Sequence, residues 1–301
     1  MDIIKTISQE LNIKTWQTEA AIKLIDEGNT IPFIARYRKE VTGSLNDEVL
    51  RQFHERLLYL RNLEDKKAQV ISSIEEQGKL TPELKKAIEA AETMVAVDDL
   101  YRPYRPKRRT RATIAKEKGL EPLANILLLQ MTKKPLIEEA AAYISDEKGV
   151  ASAEEALEGA KDILAEMISD SADYRTYIRR VTENEGKIVS KARDEKEKSV
   201  YENYYDYEEA VNKIPGHRIL AINRGEKEKF LTVKIEAPEE KILRYLEKKV
   251  IRKDNSQTEG ILKDVVADSY RRLIAPAIER EVRNELTEKA EDGGIKVFGK
   301  N

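Results

Sequence analysis

Apolar residues recur at threes and fours along most of this chain, and one stretch alternates in twos. That contrast predicts a mainly α, multi-helical protein with one small β-hairpin. Over 2–28 the pattern is two short amphipathic helices separated near Asn12, with Gly28 ending the second. Thr30 then offers a cap, Pro32 fits the first turn of the next helix, where its missing N–H is not needed, and Gly43 stops the segment. The longest pattern starts near Asn46 and reaches Gly78: Val49, Leu50, Phe53, Leu57, Leu60, Leu63, Val70, Ile71 and Ile74, with a charged gap at Lys66–Lys67. It predicts about eight turns of helix, long enough to be coiled-coil-like. Thr81-Pro82-Glu83 restarts a helix with cap, proline and acid in their favoured order.

Short helices are expected near 121–131 and 135–145. Ser152 with Glu155 reads as a capping box, opening a stripe of Ala156, Leu157, Ala160, Ile163, Leu164, Met167 and Ile168 that can run on through Tyr174, Ile178 and Val181. Residues 186–200 are charged and weakly periodic, and read as an exposed connection. The hairpin is placed at 219–222 and 230–235, flanking Arg224-Gly225-Glu226. A helix follows Pro238, and Ser256 with Glu259 reads as a capping box for another, which Pro276 should kink and Asp292-Gly293-Gly294 should end. Residues 295–301 look like a new strand without a partner. The division drawn from these patterns is a helical domain over 1–190, then a helical segment with the hairpin over 191–301.

A chain of 301 residues has room for about two domains. Hydrophobic residues make up 40% and charged residues 37%, which fits helices with one apolar face, and 13 glycines with 9 prolines are too few for an all-β fold with many turns. Without cysteine there is no disulfide and no thiolate metal site; His54 and His217 alone cannot make a His-rich one. There is no phosphate-cradling glycine loop, nucleophile elbow or H-E-x-x-H pattern, so no enzyme, cofactor, metal or small-molecule substrate is expected. The N-terminus lacks a signal-peptide core and the longest apolar run, 126–129, is too short to span a bilayer; the cytoplasm is the default expectation, with no membrane partner.

Charge changes the picture. The net is -2, but residues 101–118 carry eight Lys/Arg against one acid, and residues 138–170 carry ten acids against two lysines. The two blocks can steer a polyanion to one face, or pair with each other. The basic block opens with YRPYRPKRRTR at 101–111, where Pro103 and Pro106 deny a regular helix. Arg102 and Arg105 stand near Asp98 and Asp99, which favours local ion pairs over phosphate contact. Lys107, Arg108, Arg109 and Arg111 lack local acids and are candidate phosphate contacts, against the alternative of a plain charged loop. In IARYRKE at 34–40, a continuous helix would put Ile34, Tyr37 and Val41 on one packed face, with Arg36 free for a helix–helix ion pair; phosphate contact is the lesser reading. The tyrosines of 201–210 lie among acids that would repel phosphate, so core packing or a protein surface suits them better than base stacking.

Several long stretches together resemble the Tex family, bacterial transcription accessory proteins related to a eukaryotic elongation factor and histone chaperone. They are TIPFIARYRKEVTGSL (30–45), DDLYRPYRPKRRTRATIAKEKGLEPLA (98–124), GAKDILAEMISDSADYR (159–175), YYDYEEAVNKIPGHRILAINRGE (204–226) and DSYRRLIAPAIEREVRNELTEKAE (268–291). Gly216 and Ala277 stand where the family pattern would lead one to expect serine. The resemblance implies helix-turn-helix-like and coiled-coil-like elements. It also implies longer relatives that continue into a nuclease-like domain, a helix-hairpin-helix region and an OB-fold RNA-binding domain, so this chain is expected to be an N-terminal portion without them. The expected role is a non-catalytic scaffold associated with RNA or DNA and with the transcription machinery; the rival is a protein-interaction module that binds no nucleic acid.

Overall fold

The computed structural model describes residues 1–298, in two compact units, Met1–Tyr104 and Arg105 onward. The expected boundary at 190 falls inside the second unit. The fold is mainly α, with one three-stranded antiparallel sheet among the described residues.

The first unit is all helix: α1 Ile3–Glu10, α2 Thr15–Asp26, α3 Ile31–Tyr37, α4 Lys39–Thr42, α5 Asp47–Glu76, α6 Pro82–Ala90 and α7 Met94–Tyr101, then a 3-10 turn at Arg102–Tyr104. Caps fall where side chains can satisfy the first amide groups: Asn46 accepts from Val49 N at 2.8 Å, Thr30 from Phe33 N and Thr81 from Leu84 N. Asn12 (φ 52°), Gly28 (φ 89°) and Gly43 (φ 67°) supply the left-handed turns between helices. The stripe of α5 is the core: Leu50, Phe53, Leu57, Leu60, Leu63, Val70 and Ile74 are buried against α1, α3, α6 and α7. Its charged gap is filled by Lys67, which is buried and donates to the Glu89 carbonyl at 2.8 Å and to Glu64 Oε1 at 3.2 Å.

The second unit holds α8 Arg111–Glu117, α9 Glu121–Leu129, α10 Leu136–Ala141, α11 Ala153–Ser169, α12 Ala172–Glu185, β1 Lys187–Ala192, β2 Asp206–Ala210, α13 Gly216–Lys227, β3 Leu231–Glu236, α14 Glu239–Val250, α15 Glu259–Asp268 and α16 Ala275–Phe298. The stripe expected to run from α11 into α12 is broken at Asp170–Ser171. Ser171 caps α12, and the buried Arg175 donates to Ser169 O and Oγ, closing the end of α11.

The hairpin is not where the alternation placed it. Residues 219–222 belong to α13, and β3 pairs with β1, in register Ile188↔Ile235 and Ser190↔Val233, with β2 on the other edge of β1. The central strand thus comes from the segment read as an exposed connection. Ile188, Val189 and Ser190 are all buried, so β1 shows no in–out alternation, and its lysines hid it. The short apolar run of α13 has no period of its own; Gly225 lets it approach β3, since a Cβ there would stand 2.5 Å from Leu231 Cδ1.

Three other expectations are corrected. At Thr258 no side-chain cap opens α15; Asn255 Oδ1 instead accepts from Gln257 N at 2.9 Å and Thr258 N at 3.3 Å. A π-helical turn at Ser269–Ile274 precedes Pro276, so the ladder widens before the proline, whose missing N–H would break a regular one. Helix α16 continues past Gly293-Gly294 to Phe298, which replaces the strand expected from 295; residues 299–301 lie outside the described residues.

Candidate nucleic-acid interface

The six cations singled out at 102–111 divide into three kinds. Arg102 lies in the 3-10 turn, half-buried, and its Nε has no hydrogen-bond partner. No ion pair among the described residues ties Arg102 to Asp98 or Asp99: Asp98 pairs with Lys66 at 2.5 Å, and Asp99 is buried.

Lys107 is the largest departure from expectation. It forms ion pairs with Asp170 and with Glu166 (3.5 Å), and its side chain is only 26% exposed. Asp162, Glu166 and Asp170 stand four residues apart along α11, so they share a face. Arg272 reaches Asp162 at 3.8 Å and Asp268 at 2.9 Å. Burial raises the Asp162 carboxyl above its usual range, opposed by the charges of Arg272 and Arg111. Bonding to Arg272 lowers Asp268, with Arg111 helping. Lys107 and Arg111 are therefore partly committed to the acidic face of α11 and α15. The basic and acidic blocks do pair with each other here.

The remaining cations lie at the surface. Arg105 and Arg108 are exposed, and Arg108 has no hydrogen-bond or ion-pair partner among the described residues. Arg109 meets Glu117 at 3.0 Å, yet it is 69% exposed and Glu117 55%, so the pair is worth only a few tenths of a kcal/mol to about 1. Thr110 stops the loop by capping α8, accepting from Thr113 N at 3.1 Å. The result is a short, proline-stiffened loop moored through Lys107, with Arg108 and Arg109 turned to solvent.

The second basic stretch also departs from its expected geometry. Helix α3 breaks at Arg38 (φ -127°, ψ 30°), which resets the helical phase. Ile34 is buried, whereas Tyr37 is 54% exposed. Among the described residues Arg36 makes no helix–helix ion pair; its guanidinium lies 5.5 Å from the Tyr37 ring centroid. Arg38 lies 5.0 Å from the Phe33 centroid, and the two rings are 5.2 Å apart.

The tyrosines of 201–210 are spent on packing. Tyr201 is buried and its hydroxyl donates to Glu228 at 2.8 Å, while Tyr204 and Tyr207 pack edge to face with each other and lie against the core. His54 and His217 are exposed, and no group of three His, Cys, Asp or Glu able to hold a metal occurs among the described residues. Nor, among them, is any helix long and apolar enough to cross a membrane.

One titratable pair was not foreseen. A cavity of about 340 Å³ between α12, α16 and the turn at 211–216 contains Glu183 and Glu285. Burial and the hydrogen bond to Glu285 push Glu183 up to about 7, while Glu285 is held low by Glu183 and by Lys289, 3.0 Å away. Val211, Ile219, Val282 and Leu286 line the space around the two carboxyls.

Residues 1–75 match the model of the Tex-like protein N-terminal domain, and residues 131–298 match that of the Tex central region-like family. The YdcI protein of Bacillus subtilis is 49% identical over 98% of this chain and 41% of its own length. The transcriptional accessory protein Tex of Neisseria gonorrhoeae is 42% identical over the whole chain and 40% of its own length. The human S1 RNA-binding domain-containing protein 1 is 32% identical over the whole chain and 31% of its own length. The chain thus spans about two fifths or less of these relatives. Matched across both its units by models of one family, the chain belongs to the Tex family.

Proposed function

We propose that this chain is a non-catalytic scaffold of a transcription accessory protein, and that it associates with nucleic acid through the loop at 105–111. The carrying observation is the division of labour in that loop. Lys107 is engaged with Asp170 and Glu166, whereas Arg108 is exposed and unpaired and Arg109 is held only by an exposed, exchangeable pair. Such cations can neutralise phosphates and release counterions without breaking anything the fold depends on. The transcriptional accessory name of one relative and the RNA-binding name of another support the same reading. Cytoplasmic residence and contact with the transcription machinery belong to it as well.

The test is fluorescence anisotropy of labelled single-stranded RNA at a series of salt concentrations, with wild type and Arg108→Glu/Arg109→Glu. Two lost phosphate contacts should reduce the slope of log K against log salt by about 1.4. Absence of binding by wild type even at low salt, or an unchanged slope in the double variant, refutes the proposal. Turnover of RNA or DNA by the purified chain with a divalent metal would refute the non-catalytic part.

A further inference from the structure

The patch built from α2, α3 and α4 has a composition that the loop at 105–111 lacks. Arg36, Arg38 and Lys39 are exposed, and none has a carboxylate partner among the described residues. Glu40 is the one acid between 31 and 43. The guanidinium groups of Arg36 and Arg38 lie near the faces of Tyr37 and Phe33, and Arg38 is further oriented by donating from Nη1 to the Tyr37 carbonyl at 3.0 Å. Trp16, the only tryptophan of the chain, is 50% exposed. It reaches this patch because Gly43 leaves it room: a Cβ there would stand 2.7 Å from the end of the indole ring. Gln17 Nε2 donates to the Thr42 carbonyl at 3.0 Å, which fixes the start of α2 against the end of α4. Since α4 is a single turn, Lys39 stands one turn before Gly43, where the end of the indole lies, and Tyr37 precedes Lys39 by two residues.

We infer that Trp16, Tyr37, Arg36, Arg38 and Lys39 form a binding site for single-stranded nucleic acid, with bases on the exposed rings and phosphates on the three cations. Three unpaired cations against one acid call for a polyanion. Half-exposed rings among them favour one whose bases are free to stack, not a duplex. Sequence preference should be slight, because ring stacking and phosphate contact discriminate little between bases. The inference rests on nucleic acid being the ligand class proposed above, but the residues are separate from the loop at 105–111.

Trp16 is its own reporter. The whole chain is titrated with a ten-nucleotide oligouridylate at low salt while tryptophan fluorescence and anisotropy are followed. The expected result is quenching that parallels binding, no quenching by duplex DNA at equal phosphate concentration, and binding at least ~5-fold weaker in Tyr37→Ala, the lower end of what one base–ring stack contributes. Arg36→Gln/Arg38→Gln, which replaces exposed side chains and is checked by its unchanged melting temperature, should lose the quenching. Arg108→Glu/Arg109→Glu should keep it. Binding that leaves Trp16 unquenched and is lost only in the 108/109 variant overturns this site while leaving the loop proposal standing. Equal quenching by an acidic polypeptide overturns it in favour of a protein partner. No binding at all by wild type sinks both.

Discussion

The carboxyl pair between α12 and α16 gives the sharpest quantitative prediction. An ordinary glutamate titrates near 4.3, and Glu183 is pushed up to about 7 by burial first and then by its hydrogen bond and charge repulsion with Glu285. Arg179 and Lys289 oppose that rise, and Arg179 is itself paired with Glu281 at 2.8 Å. A raised carboxyl means that the protonated form fits the fold. The contribution to stability is complete below the unfolded value and is lost as pH climbs through about 7. At about 1.4 kcal/mol per tenfold, the ceiling on that loss is ~4 kcal/mol. Glu183 is only partly buried, so solvent screening reduces the expected loss to about 1 kcal/mol.

Glu183→Gln removes the titration and keeps a neutral group that can donate to Glu285. Urea unfolding at about pH 5 and about pH 8.5 reads the difference directly. Wild type and variant should be equally stable, within ~0.5 kcal/mol, at the lower pH, and the variant should be more stable by about 1 kcal/mol at the higher. Glu285 and Lys289 are present in both proteins, and the replaced amide still faces Glu285, so the comparison isolates the loss of the Glu183 proton. A constant offset between the two proteins across this range would refute the raised Glu183 carboxyl.

Two further substitutions separate anchoring from binding and test the close approach of α13 to β3. Lys107→Met leaves Asp170 and Glu166 without their lysine and should lower stability by ~1–2 kcal/mol in a denaturant melt; relative to Arg108→Glu/Arg109→Glu it should change the salt slope of RNA binding little. Gly225→Ala gains about 1 kcal/mol of helix propensity but sets a methyl 2.5 Å from Leu231 Cδ1 and 3.1 Å from Tyr201 Cγ, both on buried residues. Overpacking costs about 1–3 kcal/mol, so a net loss near 1 is expected by thermal unfolding.

What could be read from the residues depended on whether one face of an element met water. Helix α5 was legible almost to its ends because its buried stripe and charged back follow one period, and Asn46 supplies its cap through a short-range bond. Strand β1 was not. It is covered on both sides, so Ile188, Val189 and Ser190 are buried together while Lys187 and Lys191 mark only its ends. Its neighbours β2 and β3 come from positions 206 and 231 onward, and no local pattern announces a pairing at that separation. The π-helical turn before Pro276 is equally a property of the packed helix: the proline signals that the ladder must change, but not how.

The site shows the same dependence on distance in sequence. Lys107 seemed free because no acid lies near it in the chain, yet its partners are 59 and 63 positions away. A signal was available in the spacing of Asp162, Glu166 and Asp170, which predicts one acidic helix face that must be solvated or matched. At Tyr37 the error ran the other way. A continuous 3.6-residue phase buries it, and the break at Arg38 turns it out beside cations that no carboxylate claims. Charge density alone therefore could not show which cations are matched by acids: the denser stretch spends its lysine on holding the loop, whereas Arg36, Arg38 and Lys39 meet no carboxylate among the described residues.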